Sequence, residues 1–247
     1  GRSGRSFEGQ ILEIMAERWR QASLDNQGRY PGLPFDTEGL DAVQTRKKTY
    51  QKFVKDFLKS AAAIDDNIGK MLNYLDENGL TENTLVVYTS DQGFFLGEHG
   101  MFDKRMFLEE SARMPFVIRY PKEIKPGSQI DQMIQNLDFA PTFLDYAGVS
   151  IPKDMQGESF RKLVSQETSK WRDAIYYTYY EYPSVHMVKR HHGVRTDRYK
   201  LMHFYYDIDV WEMYDLEKDP SEMNNIYNDP EYSDIQAMMH RLSLIHI

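Results

Sequence analysis

The chain of 247 residues contains no cysteine. Disulfide bridges, thiolate metal sites and a cysteine nucleophile are therefore excluded within it. No apolar run approaches the roughly 20 residues needed to span a bilayer, so no membrane segment is expected. A basic excess is missing as well: 30 Lys and Arg stand against 38 Asp and Glu, a net charge of −8, which argues against generic nucleic-acid binding. There are no internal repeats and no low-complexity tracts, and the chain opens on Gly1 without Met. It is read as a piece of a longer protein. What is present, 41% hydrophobic and 28% charged residues, is the composition of an ordinary globular protein with enough chain for a sizeable core.

The most informative stretch is TLVVYTSDQGFFLGEHGMFDKR, from Thr84 to Arg105. Thr84 to Thr89 is apolar and β-prone, the pattern of a strand buried in a parallel sheet. Asp91-Gln92-Gly93 follows where open α/β sheets place ligands, at the carboxyl end of the strand. A carboxylate beside an amide oxygen suits a hard cation such as Ca²⁺, and Gly93 permits a tight turn. Lys104 stands thirteen residues after Asp91, near enough for a loop to set its ammonium beside a metal-bound anion. Without a wider context, the same residues also read as a strand-end turn and a surface loop.

Upstream, Gly9 to Ala22 has helical spacing, and Tyr50 to Asn78 reads as one amphipathic helix stopped by Gly79. Asp65-Asp66 falls on its polar face. Pro115 to Tyr120 is a second strand, Asp131 to Asn136 a short third, and Asp138 to Tyr146 a helix capped by Asp138. After Ser150, the stretches Ala174 to Tyr182, Gly193 to Tyr206 and Val210 to Leu216 are β-prone and aromatic. Pro230 to Leu242 is a closing helix. Together these predict a small antiparallel sheet with a helix packed on it.

SDQGFFLGEHGMFDKR, RMPFVIRYP and NLDFAPTFLDYAGV, in that order, together with VKRHHGVRTDRYKL, YDLEKDP and EMNN, resemble the C-terminal half of the type I, formylglycine-dependent sulfatases of the alkaline phosphatase-like superfamily. The resemblance runs from about Tyr50 to Asp229 and is strongest to glycosaminoglycan and mucin sulfatases related to N-acetylglucosamine-6-sulfatase. It implies an α/β fold in which residues 1–150 are the C-terminal part of the catalytic domain. Residues 151–241 would be the C-terminal α+β subdomain, and 242–247 a non-native tail. It also implies hydrolysis of a sulfate ester on a sulfated glycan, with 6-O-sulfated N-acetylglucosamine the leading substrate. One Ca²⁺ would be held by Asp91 and Gln92 and completed by residues upstream of this chain. Lys104 would contact the sulfate, and the compartment would be periplasmic, extracellular or lysosomal. Many relatives carry Asn or His where this chain has Gln92.

His99 reads equally as a catalytic-pocket residue assisting proton transfer and as a structural loop histidine. The region His186 to Lys200 holds five basic residues, one acid and three of the seven histidines. Such a positive patch on an acidic chain suits an anionic carbohydrate. Within it His186, Arg190 and His191 are candidate substrate contacts, with Tyr179, Tyr180 and Tyr182 as stacking surfaces. A solvated hairpin face is the alternative, and Arg195 and Tyr199 read as sheet anchors. No Cys/Ser-x-Pro-x-Arg sequence, the source of the family's nucleophile, occurs in the chain. Half an active site is therefore expected here, inactive by itself. A phosphoesterase of the same superfamily and a non-catalytic glycan-binding homologue remain the two other readings.

Overall fold

The structure, a computed structural model, describes residues 38–184 and 187–245. The expected helix at Gly9 to Ala22 lies outside the described residues. The chain forms two units: one holds described residues 38–78 with Phe94–Asp103, the other Gly79–Gly93 with 104–245.

The first unit is built on helix α1, Ala42–Glu77. It starts earlier than the apolar stripe indicated, because Asp41 and Gln44 form a capping box: the Asp41 carboxylate accepts from the Gln44 amide at 2.8 Å, and the Asp41 amide donates to Gln44 Oε1 at 3.0 Å. It stops where predicted, at Gly79 with φ +66°. None of its residues is fully buried. Strands β2 (Phe95–Leu96) and β3 (Phe102–Asp103) form a short hairpin. Phe102 meets Phe53 of α1 edge-on at 4.7 Å. Gly97, at φ +124°, leaves space for the Tyr50 ring, which a Cβ would approach to 2.9 Å.

In the second unit β1 (Val86–Thr89) pairs with β4 (Phe116–Arg119), and the pairing is antiparallel, Val86 opposite Arg119. The buried parallel strand predicted at Thr84 to Thr89 is thereby corrected: Tyr88 and Val117 are 42% and 63% exposed. An apolar run reports its own composition and carries no information on which way its neighbour runs. The strand expected at Asp131 to Asn136 does not form. Its polar backbone groups are taken by side chains instead: Trp171 Nε1 donates to the Met133 carbonyl at 2.7 Å, and the Gln135 amide donates to Asp138 at 2.7 Å. Helices α2 (Glu109–Ala112), α3 (Phe139–Tyr146) and α4 (Arg161–Val164) complete this region, with Phe160 and Leu163 at the centre of its core. Asp138 occupies the cap position of α3 but turns its carboxylate away from that helix. It accepts from Gln135 and Glu158 amides and from both terminal nitrogens of Arg172.

Four antiparallel strands follow in chain order: β5 (Ala174–Tyr179), β6 (His191–Thr196), β7 (Tyr199–Phe204) and β8 (Val210–Asp215). The single β-prone stretch Gly193 to Tyr206 is two strands, turned at Asp197-Arg198. Helix α5 (Ser233–Ile245) lies on one face, where Met239 joins Val194, Leu201 and Met213 in a closed core. It ends at Ile245, with Leu242 against this core and Ser243 buried. On the opposite face, the alternation of strand residues directs Tyr177, His191, Gly193, Lys200 and Met202 toward the segment after Lys104.

Candidate functional site

Where β1 ends, its last residue is tied down: Thr89 Oγ1 donates to the Pro115 carbonyl at 2.9 Å. Asp91 is exposed, and Ser90 Oγ donates to its Oδ1 at 3.2 Å. Asn136 Nδ2 holds the Asp91 carbonyl at 3.1 Å. Gln92 is half-buried beside it. Gly93 is buried, and its amide donates to the Ser111 carbonyl at 2.8 Å. A Cβ there would stand 2.1 Å from the Glu110 carbonyl oxygen and 2.7 Å from that of Arg113. Only glycine fits this approach of turn to α2.

Lys104 is half-buried between two residues with left-handed backbone, Asp103 at φ +79° and Arg105 at φ +94°. Two such non-glycine residues around one lysine store strain that the surroundings must hold. Three contacts of the following residues do so. The Arg105 amide donates to Ser111 Oγ at 2.9 Å, the Tyr177 hydroxyl donates to the Arg105 carbonyl at 2.8 Å, and the Phe107 ring stacks on Tyr177 at 4.6 Å. Burial pushes the Tyr177 hydroxyl up to about 12, so it keeps the proton it donates. Ser111 thus receives the turn carrying Asp91 and Gln92 on its carbonyl and the turn carrying Lys104 on its hydroxyl.

His99 belongs to the other unit, in a 3-10 turn Glu98–Gly100 with its own φ at +55°. Its ring meets Phe95 edge-on at 6.0 Å.

His191 requires a correction. It has no exposed surface, its Nε2 accepts from the Phe107 amide at 3.2 Å, and its Nδ1 bonds the Lys189 carbonyl at 2.8 Å. Burial holds it down at about 4 and so neutral, a state that lets one ring nitrogen donate while the other accepts. It supports the loop after Lys104 and presents nothing to a glycan. Tyr179 is buried too, whereas Tyr180 is 71% exposed. Arg190 donates to the Tyr182 carbonyl and lies over the Tyr206 ring at 4.3 Å. His186 lies outside the described residues. The positive patch is largely neutralised by tertiary pairing: Lys189 with Asp207, Arg195 with Glu109, Arg198 with Asp215, and Lys200 with Glu109 and Glu222. Arg195, read as a sheet anchor, grips Glu109 with Nε and Nη2 at 2.9 and 3.1 Å.

Sequence reasoning missed Ser111, Glu109 and Glu222. A signal was available in Tyr199-Lys200-Leu201-Met202, where strand alternation puts Lys200 on the same face as Met202 and calls for a buried acid. A cavity of about 1030 Å³, lined among others by Phe116, Ile130, Phe160 and Arg195, includes none of Asp91, Gln92 or Lys104. Its walls belong to the core between β4 and α4.

Among the described residues no group of three or more His, Asp or Glu converges as a metal site. Asp91 and Gln92 nonetheless offer two oxygen donors of the kind a hard cation takes, at one strand end. They fit part of such a site.

Comparison with known proteins decides the family. Residues 15–149 match the model of the family described as Sulfatase, and residues 97–245 match that described as N-sulphoglucosamine sulphohydrolase, C-terminal. The chain belongs to the sulfatase family. It is its C-terminal region, and members of the family generally use a metal ion. The chain is 55% identical over 196 residues to an N-acetylglucosamine-6-O-sulfatase of Bacteroides thetaiotaomicron, covering 78% of this chain and 35% of that protein. Its fold matches a solved structure in complex with the substrate D-glucosamine-2-N,6-O-disulfate, with a TM-score of 0.82 and 48% identity over 93% of this chain and 46% of that one. A phosphonate monoester hydrolase from Silicibacter pomeroyi shares the fold at a TM-score of 0.75 and 23% identity, over all of this chain and 49% of that one. The sulfatase chain thus spans between a third and a half of the length of these relatives, and its fold is that of the alkaline phosphatase-like enzymes. No helix among its described residues is long and apolar enough to cross a membrane.

Proposed function

We propose that this chain supplies half of the active site of a glycan sulfatase, with a 6-O-sulfated glucosamine or N-acetylglucosamine unit as substrate. The observation that carries the reading is the convergence of the Asp91-Gln92-Gly93 turn and the Asp103-Lys104-Arg105 turn on Ser111, in a chain 55% identical over 196 residues to an N-acetylglucosamine-6-O-sulfatase. Asp91 and Gln92 would hold a Ca²⁺ ion with their oxygens, together with residues of the family's N-terminal region, and the cation would supply positive charge against the sulfate oxygens. Lys104 adds a fixed ammonium, which stabilises the charge that grows on the sulfate and leaving oxygens in the transition state. Its strained flanks keep that ammonium in one place without reorganisation at the moment of reaction. Arg190 and exposed Tyr180 are the substrate contacts offered by the β5–β6 region, with His186 beside them in sequence. Such an enzyme works on extracellular glycans, in the periplasm, outside the cell or in a lysosome.

Steady-state turnover of a 6-O-sulfated N-acetylglucosamine, an aryl sulfate and an aryl phosphate tests the reading, with the family's N-terminal region joined to this chain. Sulfate esters are expected to turn over faster, and Lys104→Ala to lower kcat/KM on both by about a hundredfold or more. Faster phosphate turnover would assign the chain to a phosphoesterase. Glycan binding without turnover of any ester would make it a binding homologue.

A further inference from the structure

The charges buried beneath the Lys104 loop have no role in the reaction as described. Lys200 is fully buried, with Nζ at 2.8 Å from Glu109 Oε1 and 2.7 Å from Glu222 Oε1, and it lies 5.0 Å from the centre of the Phe107 ring. Glu109 is also gripped by Arg195. Glu222, at φ +50° and 3% exposed, accepts the Glu109 amide on its other oxygen at 2.7 Å. The two acids and two bases balance in charge. Replacing buried ion pairs with apolar residues of similar size is often neutral or stabilising, so stability alone is a poor reason for four charges here. What the cluster supplies is direction at Glu109: Arg195 grips its carboxylate with two hydrogen bonds and Glu222 accepts its amide, while Lys200 meets both acids as a point charge whose Nζ completes no hydrogen bond.

We propose that Lys200, Glu222 and Arg195 are positioning residues that lock Glu109 and so the short helix α2, which sets the Asp91-Gln92 turn and the Lys104 turn against each other through Ser111. Every link is short. Glu109 heads α2, and Ser111 stands two residues later in it. From Ser111 one bond of 2.8 Å reaches Gly93, next to Gln92, and one of 2.9 Å reaches Arg105, next to Lys104. The His191–Phe107 bond and the Phe107–Tyr177 stack fix the same loop from the sheet side. The C-terminal sheet thereby determines where the sulfate-binding charges point while touching no substrate. The proposal rests on the sulfatase reading given above.

Its test is a double-mutant cycle with Lys104, measured on the chain joined to the family's N-terminal region. Lys200→Met with Glu222→Gln removes one charge of each sign and keeps the packing volume. It is expected to lower kcat/KM by about tenfold to a hundredfold on both the glycan sulfate and the aryl sulfate, mostly in kcat. In a Lys104→Ala background the same pair of changes is expected to cost clearly less than with Lys104 intact, since one of the two groups being aimed is already gone. Ser111→Ala, which removes only the hydroxyl that accepts from Arg105, is expected to show the same dependence on Lys104 and covers the case in which the double variant does not fold. Full losses in both backgrounds, or no loss with Lys104 intact, overturn the positioning role. If Lys104→Ala itself leaves sulfate turnover unchanged, the functional reading fails first, and the two failures are thus told apart.

Discussion

The two faces of the C-terminal sheet are buried to the same degree by different chemistry. Toward α5 the contacts are Val194, Leu201, Met213 and Met239, all apolar and fully or nearly fully buried. Toward α2 the equally buried groups are His191, Lys200 and Glu222, with Phe107 among them. An apolar face tolerates repacking, because dispersion contacts have no preferred direction. A buried polar face tolerates very little, because each group left without its partner keeps its full desolvation cost. The face nearer the proposed site is the one that buries charged and polar side chains, and the difference predicts how each face fails.

The largest effect is expected for Lys200→Met alone. It leaves Glu222 buried without its cation and should destabilise the chain by about 3–5 kcal/mol in chemical denaturation. The accompanying change Glu222→Gln should recover much of that loss. No recovery would mean that the two faces do not differ in kind. On the apolar face, Met213→Ala should cost about 2–5 kcal/mol from lost transfer energy and the cavity left behind. Its kcat per folded enzyme should be unchanged, in contrast to the Lys200 and Glu222 pair.

Acid should attack the polar face selectively. His191 is held at about 4 by burial, while the unfolded chain titrates near 6.5. Between those values the unfolded state binds a proton that the folded state refuses, so stability is full above about 6.5 and falls as pH drops toward 4. The loss is about 3 kcal/mol from this one residue. Glu109 behaves differently. Burial raises its carboxyl, but Arg195 and Lys200 outweigh that and hold it down at about 2. Its contribution is complete above the ordinary carboxylate range and fades only below it, toward pH 2. Glu222 has the opposite sign: burial raises it against the pull of Lys200, so its ionisation works against the fold as pH rises through the carboxylate range. Denaturant midpoints from pH 4 to 8 should therefore slope upward, and His191→Gln should flatten the part of the slope between 4 and 6.5. An unchanged slope would show that His191 is protonated in the folded chain.

The smallest effect is expected at the rim. Lys189 pairs with Asp207, and both side chains are about a third exposed. Lys189→Gln should shift the denaturant midpoint least of all, and less still in high salt. A loss as large as that of Lys200→Met would erase the distinction between directed burial and solvated pairing.

Much of this was legible in the chain itself. The stop of α1 at Gly79, strand β4, the sheet-plus-helix character after Ser150 and the Asp91-Gln92-Gly93 strand-end turn all follow from local composition and turn chemistry, which act within a few residues. The earlier start of α1 was equally local, written in Asp41 and Gln44, and an apolar stripe simply does not report it. The partner of β1, the loop character of Asp131 to Asn136 and the burial of His191 were decided elsewhere, by Phe116, Trp171 and Phe107. The run of five basic residues from Lys189 to Lys200 showed that charge was present, but not that Asp207, Glu109, Asp215 and Glu222 would take four of them. Sequence by itself determined the secondary elements and the chemical types available at the site, since those depend on neighbours along the chain. Only the tertiary structure decided which charges stay free to meet a substrate, because an ion pair between residues 86 positions apart, as for Arg195 and Glu109, exists only once the sheet has brought them together.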